Sequence, residues 1–357
     1  MNNNIIFVTI SMCGGGTERV ISVLANEAAK RKQKVTIMMI GDDRVEYELS
    51  PEIDVICVSK ATGGSLSGRI KRIKAMRKVM KDNGGNVIAM GSSSAIFTLI
   101  AGLGLENKVV VSERNPPDRF NLKPISKGMK ILRELLYGTA DKVVLQTEDA
   151  KAFFGNKVKN KSAIIMNPLP QNVFDSRSDC VREKSVIESG RLVDYKRVDI
   201  TVKAFAQFRK THPDYCLKIF GKGPLEDEIQ QVINELNIGE CAKLCGFSNN
   251  MYEEFSKGGM YVSSSSCEGV SNAMMEALAL GIPVIATDCP VGGSRLCIND
   301  GEDGLLIPIE DVEALSEAMC KMADNQKFAE QMARNAMKKS ETWTVETVWD
   351  RWLELFV

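Results

Sequence analysis

The segment Met260-Tyr-Val-Ser-Ser-Ser-Ser-Cys-Glu-Gly-Val-Ser-Asn-Ala-Met-Met-Glu-Ala-Leu-Ala-Leu-Gly-Ile-Pro-Val-Ile-Ala286 contains one complete folding pattern. It begins with a short β-prone run and passes through a serine-rich turn. A helical pattern follows from Ala273 to Leu280, and Gly281 and Pro283 end it before a second apolar strand begins. The segment therefore predicts a strand, a polar loop, a helix and a buried strand.

Two carboxylates flank the start of this predicted helix. Glu268 lies in the loop, and Glu276 follows eight residues later, one to two turns inside the helix. At about 1.5 Å rise per helical residue they can stand roughly 10 Å apart, with the N–H groups of Val270, Ser271 and Asn272 between them. This layout suits a ligand with polar ends and an anionic centre, as in a nucleotide sugar. Two glutamates at this spacing also occur by chance.

The start of the chain predicts how the sheet is built. Ile5 to Ile10 reads as a buried strand, the glycines at 14–16 as a turn, Thr17 to Lys30 as a helix and Lys34 to Ile40 as a second strand. A strand, turn, helix and strand in this order predict an α/β fold with a parallel, doubly wound sheet. Ligands of such sheets bind at the carboxyl ends of the strands.

Length and charge point to two domains. The 357 residues exceed what one core usually supports. The net charge of zero conceals a split, because residues 1–170 carry an excess of ten basic residues and the remainder an equal excess of acidic ones. Ten scattered cysteines without a CxxC pair fit a reducing compartment, and the first residues read as a strand rather than a signal peptide. We expect a cytoplasmic protein.

Two basic amphipathic segments lie in the first half. In the segment 66–82, seven basic residues from Arg69 to Lys81 precede the first acid, and the segment 123–137 is similar. Each is interpreted either as a surface helix with its apolar stripe in the core or as a contact for an anionic membrane. Nucleic acid is disfavoured as a partner, because neither segment interleaves aromatic residues and no known nucleic-acid motif occurs.

Two motifs in the second half resemble one enzyme family. Glu268 to Glu276 is similar to the E-x7-E segment of the family-4 (group 1) retaining glycosyltransferases, and Gly190-Arg-Leu with Lys196 is similar to their GRL-x3-K signature. The resemblance extends over essentially the whole chain. It implies the GT-B fold, in which two Rossmann-like domains face a cleft. Residues 1–170 would form the domain that binds the acceptor, and residues 171–340 the domain that binds the nucleotide sugar. Residues 341–357 would form a helix that returns to the first domain.

The resemblance also implies roles for individual residues. The arginine and lysine clasp the donor diphosphate, which suits a planar fork and a compact point charge. The catalytic residues so implied are Glu268, Arg191 and Lys196. The donor-binding residues are Glu276, Gly269, Val270, Ser271, Asn272, Gly221, Phe247, Ser248, Gly15 and Gly16. The acceptor-binding residues are Arg114 and Thr17.

Arg114 departs from the family pattern, since many relatives carry a histidine at this place. The arginine supplies a fixed positive charge, or it only pairs with Glu113 or Asp118; the sequence leaves both readings open. No metal site is expected, because there is no D-x-D near a strand end and the one histidine, His212, is predicted on an exposed loop.

The activity implied is transfer of a hexose or N-acetylhexosamine from a nucleotide sugar, expected to be a UDP-sugar, to an acceptor hydroxyl with retention of configuration. The first-domain motif Val-Ser-Glu-Arg-Asn at 111–115 resembles enzymes of surface polysaccharide assembly. A lipid-linked saccharide is therefore the expected acceptor, reached at the inner membrane face through Arg69 to Lys81. Two alternatives are a nucleotide-sugar epimerase or hydrolase on the same scaffold and a non-catalytic partner subunit.

Overall fold

A computed structural model describes residues 4–58, 66–114, 127–178, 181–248 and 250–357. The chain forms two compact units. The first contains residues 1–168 and returns at 345–357, where the sequence predicted 1–170 and a helix from 341. The second contains residues 169–344.

The first unit is a seven-stranded parallel sheet with helices between its successive strands, except between β2 and β3. The strand order is β3-β2-β1-β4-β5-β6-β7. The strands are β1 (Asn4–Thr9), β2 (Lys34–Met39), β3 (Ile53–Cys57), β4 (Asn86–Met90), β5 (Val109–Ser112), β6 (Lys142–Leu145) and β7 (Ser162–Ile164). The helices are α1 (Gly16–Lys30), α2 (Leu66–Asn83), α3 (Ser92–Gly102), α4 (Lys127–Tyr137), α5 (Glu148–Ala152) and α6 (Asn156–Lys159).

The C-terminal helix (Val345–Leu353) belongs to the core of the first unit. Trp349 and Trp352 are fully buried, and the Trp349 ring lies 6.0 Å from the ring of Phe7 on β1. The Trp349 indole N–H donates to Gln33 Oε1 at 2.9 Å. Large aromatic side chains contribute much of a core's free energy, so this helix is an integral part of the unit.

The second unit is a six-stranded parallel sheet of order β10-β9-β8-β11-β12-β13. Its strands are β8 (Ser185–Ser189), β9 (Cys216–Phe220), β10 (Ala242–Gly246), β11 (Met260–Ser263), β12 (Val284–Thr287) and β13 (Leu305–Ile307). Its helices are α7 (Gln171–Asp175), α8 (Val198–Phe208), α9 (Glu226–Glu235), α10 (Met251–Lys257), α11 (Asn272–Ala279), α12 (Gly293–Cys297), α13 (Val312–Asp324) and α14 (Gln326–Ser340).

The predicted doubly wound α/β architecture is confirmed, since every strand pair in both sheets is parallel. Such sheets have both faces covered, which explains why their strands are nearly continuous apolar runs. In β1, for example, Ile5, Ile6, Phe7 and Val8 are all buried.

Two local expectations were wrong. The polar, proline-bearing composition of residues 167–184 predicts a linker between the two domains. Instead, α7 and Arg177 pack within the second unit, and the Arg177 guanidinium donates to the carbonyls of Ala279 and Met337. His212 is half-buried rather than exposed, because its ring stacks on Phe208 at 4.6 Å and its Nε2 lies 3.1 Å from Asp324 Oδ1.

The basic segments form α2 and α4, which both pack against α3. In α2 the apolar stripe enters the core at Met76 and Met80, whereas Ile70 is exposed. In α4, Ile131 and Leu135 are 60% and 64% exposed. Within the described residues, the helices are all too short or too polar to cross a bilayer.

Candidate functional site

The sequence-predicted residues of the second unit lie on loops that follow neighbouring strands. The turn 190–197 follows β8, the turn 221–225 follows β9, and the loop 264–271 follows β11. Because β9, β8 and β11 are adjacent and parallel, the three loops leave the sheet at the same edge. This edge is where doubly wound sheets bind ligands.

The turns after β8 and β9 interlock, and glycine makes this possible. A Cβ at Gly221 would lie 1.8 Å from the carbonyl oxygen of Gly190, and a Cβ at Gly223 would lie 2.1 Å from that of Leu192. Gly221 also has a φ of +129°, which residues with a side chain rarely adopt. The Leu192 N–H donates to the Lys222 carbonyl at 3.0 Å. The turn that carries Arg191 and Lys196 is thus fixed by the turn beside it.

Lys196 and Glu268 form an ion pair at the centre of this edge. Lys196 Nζ lies 2.7 Å from both carboxylate oxygens of Glu268. The two side chains are only 12% and 20% exposed. Ser265 Oγ donates to Glu268 Oε2 at 2.9 Å, and the Glu268 N–H donates to the Pro290 carbonyl at 3.0 Å. Both charges are therefore held in place while a part of each remains accessible to a ligand.

Arg191 lies on the same turn and is exposed. Its Nη2 donates to the hydroxyl of Tyr195 at 2.8 Å. The Tyr195 carbonyl accepts from the Ser266 N–H at 2.8 Å, which joins this turn to the loop after β11. Arg191 therefore presents a guanidinium to solvent on the turn that holds Lys196.

Helix α11 begins at Asn272, one residue before the start that the sequence predicts. Ser271 is its N-cap and accepts from the Met274 N–H. Glu276 is buried one turn further on. The loop before the helix is tightly packed, because a Cβ at Gly293 would lie 1.8 Å from the Gly269 carbonyl oxygen. The first N–H groups of α11 are thus placed at the same edge as Glu268.

Tyr261, on β11, lies among three carboxylates. Burial first, and then the negative charges of Glu268, Glu188 and Glu276, raise the pKa of its hydroxyl well above the ordinary value. Glu268 and Glu276 are thus close enough to one tyrosine for both to act on it electrostatically. The sequence predicted these two glutamates at one site, but not the tyrosine between them.

The remaining donor-binding candidates of this unit lie at the next loop. Gly246 ends β10, and its carbonyl accepts from the Gly221 N–H at 2.7 Å. Phe247 is exposed, and Ser248 Oγ accepts from the Asn250 N–H at 3.1 Å. The loop with Phe247 and Ser248 is therefore joined to the turn after β9.

Three predicted residues belong to the first unit and begin α1. Gly15 is the N-cap, and its carbonyl accepts from the Tyr47 hydroxyl at 2.7 Å. Gly16 and Thr17 form the first turn of the helix, after β1. Their roles toward donor and acceptor stay predictions.

Arg114 is buried in the first unit, just after β5. Its Nη1 donates to Asn167 Oδ1 at 2.7 Å, and its guanidinium lies over the Trp352 ring at 5.6 Å from the centroid. Nε and Nη2 have no hydrogen-bond partner among the described residues. Burial lowers the pKa of Arg114 to about 10, and no described carboxylate raises it again.

The two partners that the sequence suggested for Arg114 do not pair with it in the described residues. Glu113 accepts hydrogen bonds from Ser92 and Tyr137 instead. Asp118, the other expected partner, lies outside the described residues.

Glu188 is a site residue that sequence reasoning missed. It is fully buried on β8, and burial raises its pKa to about 7, against the effects of Thr201, Lys196 and Ser264. The only signal in the sequence is a carboxylate inside an apolar strand, Ser185-Val-Ile-Glu-Ser.

The described part of the chain contains no group of three His, Cys, Asp or Glu side chains arranged to hold a metal ion. The charged side chains at this edge are instead paired with each other or bonded to serine and tyrosine hydroxyls.

Comparison with known proteins shows what the second unit and the whole chain are similar to. Residues 177–339 match the sequence model described as "Glycosyl transferases group 1". An uncharacterized glycosyltransferase of Haemophilus influenzae is 25% identical over 343 residues, covering 95% of either chain. A Campylobacter jejuni protein is 25% identical over 360 residues, which cover 98% of this chain and 97% of the relative. Its name is "GalNAc-alpha-(1->4)-GalNAc-alpha-(1->3)-diNAcBac-PP-undecaprenol alpha-1,4-N-acetyl-D-galactosaminyltransferase".

The fold has a solved counterpart in HepE of Anabaena, crystallised in complex with UDP. That chain superimposes with a TM-score of 0.83 over 99% of both chains, at 17% sequence identity. At this identity the likeness shows the fold, which is GT-B. The chain thus has the GT-B fold, and the segment 177–339 of its second unit matches the group 1 glycosyl transferases.

Proposed function

We propose that this protein is a retaining glycosyltransferase that moves a hexose or N-acetylhexosamine from a UDP-sugar to a hydroxyl of a lipid-linked saccharide. The observation that carries the proposal is the half-buried pair of Lys196 and Glu268 at the start of α11. A cation, a carboxylate and the first N–H groups of α11 then lie within one edge of the sheet. A nucleotide sugar needs these three groups for its diphosphate and its hydroxyls.

The reaction is a group transfer, and its charge changes suit this edge. The bond between the anomeric carbon and the β-phosphate oxygen breaks, and the acceptor oxygen bonds to the same face of that carbon. The acceptor's proton passes to the leaving phosphate oxygen, so no separate base is needed. Lys196, Arg191 and the first N–H groups of α11 stabilise the negative charge that grows on the β-phosphate.

The two glutamates orient the donor. Glu268 accepts hydrogen bonds from the sugar hydroxyls, and Glu276 accepts them from the ribose. Before donor binds, both oxygens of Glu268 accept from Lys196. Donor binding therefore exchanges part of this ion pair for contacts of Lys196 with phosphate and of Glu268 with sugar. Chelator should leave the activity intact, and its loss in EDTA with recovery in manganese would contradict the metal-free reaction.

The choice of UDP and of a lipid-linked acceptor is supported by the relatives. HepE of Anabaena was crystallised with UDP and with UDP-glucose, and the Campylobacter protein is named for an undecaprenol-linked substrate. The helices α2 and α4 fit a membrane-linked acceptor. Helix α2 carries the basic residues of the segment 69–81, and α4 exposes Ile131 and Leu135. Basic groups on α2 and exposed apolar groups on α4, two helices that both pack against α3, suit the inner, anionic face of a membrane.

Vesicle sedimentation tests the membrane contact. Wild type should sediment with vesicles that contain anionic lipid, less so at high salt, and not with neutral vesicles. Ile131→Ser with Leu135→Ser should weaken sedimentation, whereas Leu236→Ser in the second unit, also an exposed leucine, should not. Equal binding by all three proteins, or none at any salt, would contradict a membrane contact at α4.

Product analysis tests the activity. Purified protein is given UDP-, GDP- and ADP-sugars with a polyprenyl-diphosphate saccharide, and NMR of the product reports the anomeric configuration. An α-linked product from an α-linked donor supports retention. Release of free sugar or a changed donor sugar without transfer would favour the hydrolase or epimerase. Absence of both turnover and nucleotide binding would favour the non-catalytic subunit.

A further inference from the structure

Glu188 is a buried carboxyl group beneath the proposed donor-phosphate residues. It lies on β8, two residues before Gly190, and its side chain is enclosed. Its Oε1 lies 3.2 Å from Ser264 Oγ, and its Oε2 has no hydrogen-bond partner. A buried carboxylate normally has a cation or several donors. Among the described residues Glu188 forms no ion pair, and the only groups that act on it by hydrogen bonding are the hydroxyls of Ser264 and Thr201.

The surroundings of Ser264 indicate where a proton must be. Ser264 Oγ lies 2.8 Å from the Arg197 carbonyl oxygen, 3.1 Å from that of Lys196 and 3.2 Å from Glu188 Oε1. A serine hydroxyl has one hydrogen to donate, and a carbonyl can only accept. If Ser264 donates to the two carbonyls, its contact with Glu188 is favourable only when Glu188 donates. Three acceptors thus surround one serine hydrogen, and this arrangement favours a protonated carboxyl group, which supplies a second hydrogen.

The environment of Glu188 also favours its protonated form on balance. On the turn above it, Lys196 has an attractive effect, but its Nζ is bound to Glu268. On α8, Asp199 is repulsive and is itself bonded to Arg197 and Lys203. The hydroxyls of Thr201, also on α8, and of Ser264 act in the opposite direction, because their hydrogen bonding lowers the pKa of Glu188; Tyr261 on β11 is neutral. Burial is the largest influence and raises the pKa of Glu188 to about 7.

We propose that Glu188 is a positioning residue that acts in its protonated form and, through Ser264, holds the backbone of Lys196 and Arg197. This inference rests on the proposed function. When Glu188 loses its proton, it accepts the hydrogen of Ser264, and the Lys196 and Arg197 carbonyls lose that hydrogen, although the Arg197 carbonyl still accepts from the Ile200 N–H at 2.9 Å. Its negative charge then also competes with Glu268 for Lys196. The ammonium group is displaced from the place where the donor phosphate binds.

The pH dependence of kcat/KM separates this role from a merely structural one. For wild type, kcat/KM should decline above a pH of about 7, approaching tenfold per pH unit. Glu188→Gln keeps the shape and a permanent N–H donor for Ser264, so it should be active and lack this decline. Ser264→Ala should lower kcat/KM at every pH. Glu235→Gln, on the exposed face of α9, is the matched control and should retain the decline. If Glu188→Gln shows the same decline as wild type, the proposal is wrong.

Infrared difference spectroscopy tests the protonation without any substrate. Wild type should show the C=O band of a carboxylic acid at pH 6 that disappears at pH 8.5, and Glu188→Gln should lack it. Absence of the band at pH 6 would overturn the proposal, whatever the activity. If the protein transfers no sugar and binds no nucleotide, the proposed function and the positioning role fail together, while the spectrum still decides whether Glu188 is protonated.

Discussion

Lys196 and Glu268, 72 residues apart, are joined by two contacts of 2.7 Å from one ammonium group to both oxygens of one carboxylate. The pair connects the turn after β8 to the loop after β11. Removing one partner from a pair with so little exposure leaves the other charge without compensation, which costs more than loss of a surface ion pair. The pair is thus both a binding element and a structural tie.

Lys196→Ala should reduce kcat for sugar transfer by about 10²–10³, because one stabilising charge is lost where phosphate charge develops. Nucleotide affinity should fall too. Lys203→Ala is the matched control, since this lysine lies on α8, is more exposed and pairs with Asp199. Steady-state kinetics and calorimetry with UDP measure both effects. Equal activity of the two variants would remove Lys196 from the reaction.

The stability of the protein should depend on pH through Glu188. The pKa of its carboxyl group is about 7 in the folded chain, against an ordinary value of 4.5. The folded state therefore binds a proton that the unfolded state has released between these values, and this stabilisation is lost as the pH rises through about 7. Relative to Glu188→Gln, wild type should lose up to roughly 3 kcal/mol of unfolding free energy between pH 5 and pH 8.

Urea denaturation of both proteins at pH 5 and pH 8 measures this difference. Other groups change the stability of both proteins alike, so only the difference between them reports on Glu188. If the difference in unfolding free energy between wild type and Glu188→Gln does not change with pH, the charge of Glu188 does not change between pH 5 and pH 8.

Gly221→Ala should disrupt the turn that holds Arg191 and Lys196. The new Cβ would lie 1.8 Å from the Gly190 carbonyl oxygen, and the φ of +129° is strained for alanine. We expect a loss of stability of several kcal/mol, or a shifted turn with weaker UDP binding. Gly239→Ala is the control, because a Cβ there meets nothing within 4 Å. Thermal denaturation and UDP titration of both variants provide the test, and equal behaviour would contradict the interlocked turns.

Arg114→Met should preserve the fold and can reveal a functional role. The guanidinium is buried without an ion pair to a described residue, so an apolar side chain of similar length removes an expensive charge. Gln146 continues to donate to Asn167 Oδ1. We expect a melting temperature at least equal to that of wild type. If the variant loses sugar transfer but keeps its affinity for UDP, Arg114 binds the acceptor. If sugar transfer is unchanged, Arg114 only contributes to packing.

Sequence reasoning succeeded where local pattern determines structure. The apolar run at β1, the glycine turn and α1 follow from periodicity and composition, and α11 begins within one residue of its predicted start. Family motifs then pointed to Lys196 and Glu268. The contact between them depends on the order of the strands, which the motifs alone do not specify.

Sequence reasoning failed where burial comes from distant segments. Glu188 lies in an apolar strand, and its contact with Ser264 depends on the loop after β11. His212 stacks on the nearby Phe208, but its contact with Asp324 joins residues 112 positions apart. Arg177 appeared to be in a linker, but carbonyls from α11 and α14 accept its hydrogen bonds. In each case the partner is remote in sequence and carries no local signal.

The division of the first unit between 1–168 and 345–357 affects how the protein is made. A ribosome synthesises the whole second unit before the segment with Trp349 and Trp352, so the first sheet waits for its final apolar layer. Until then, the surface around Phe7 and α1 is open to water and to other nascent chains. We therefore expect the early part of the chain to need chaperone protection during translation, whereas residues 169–344 can complete their own core as they emerge.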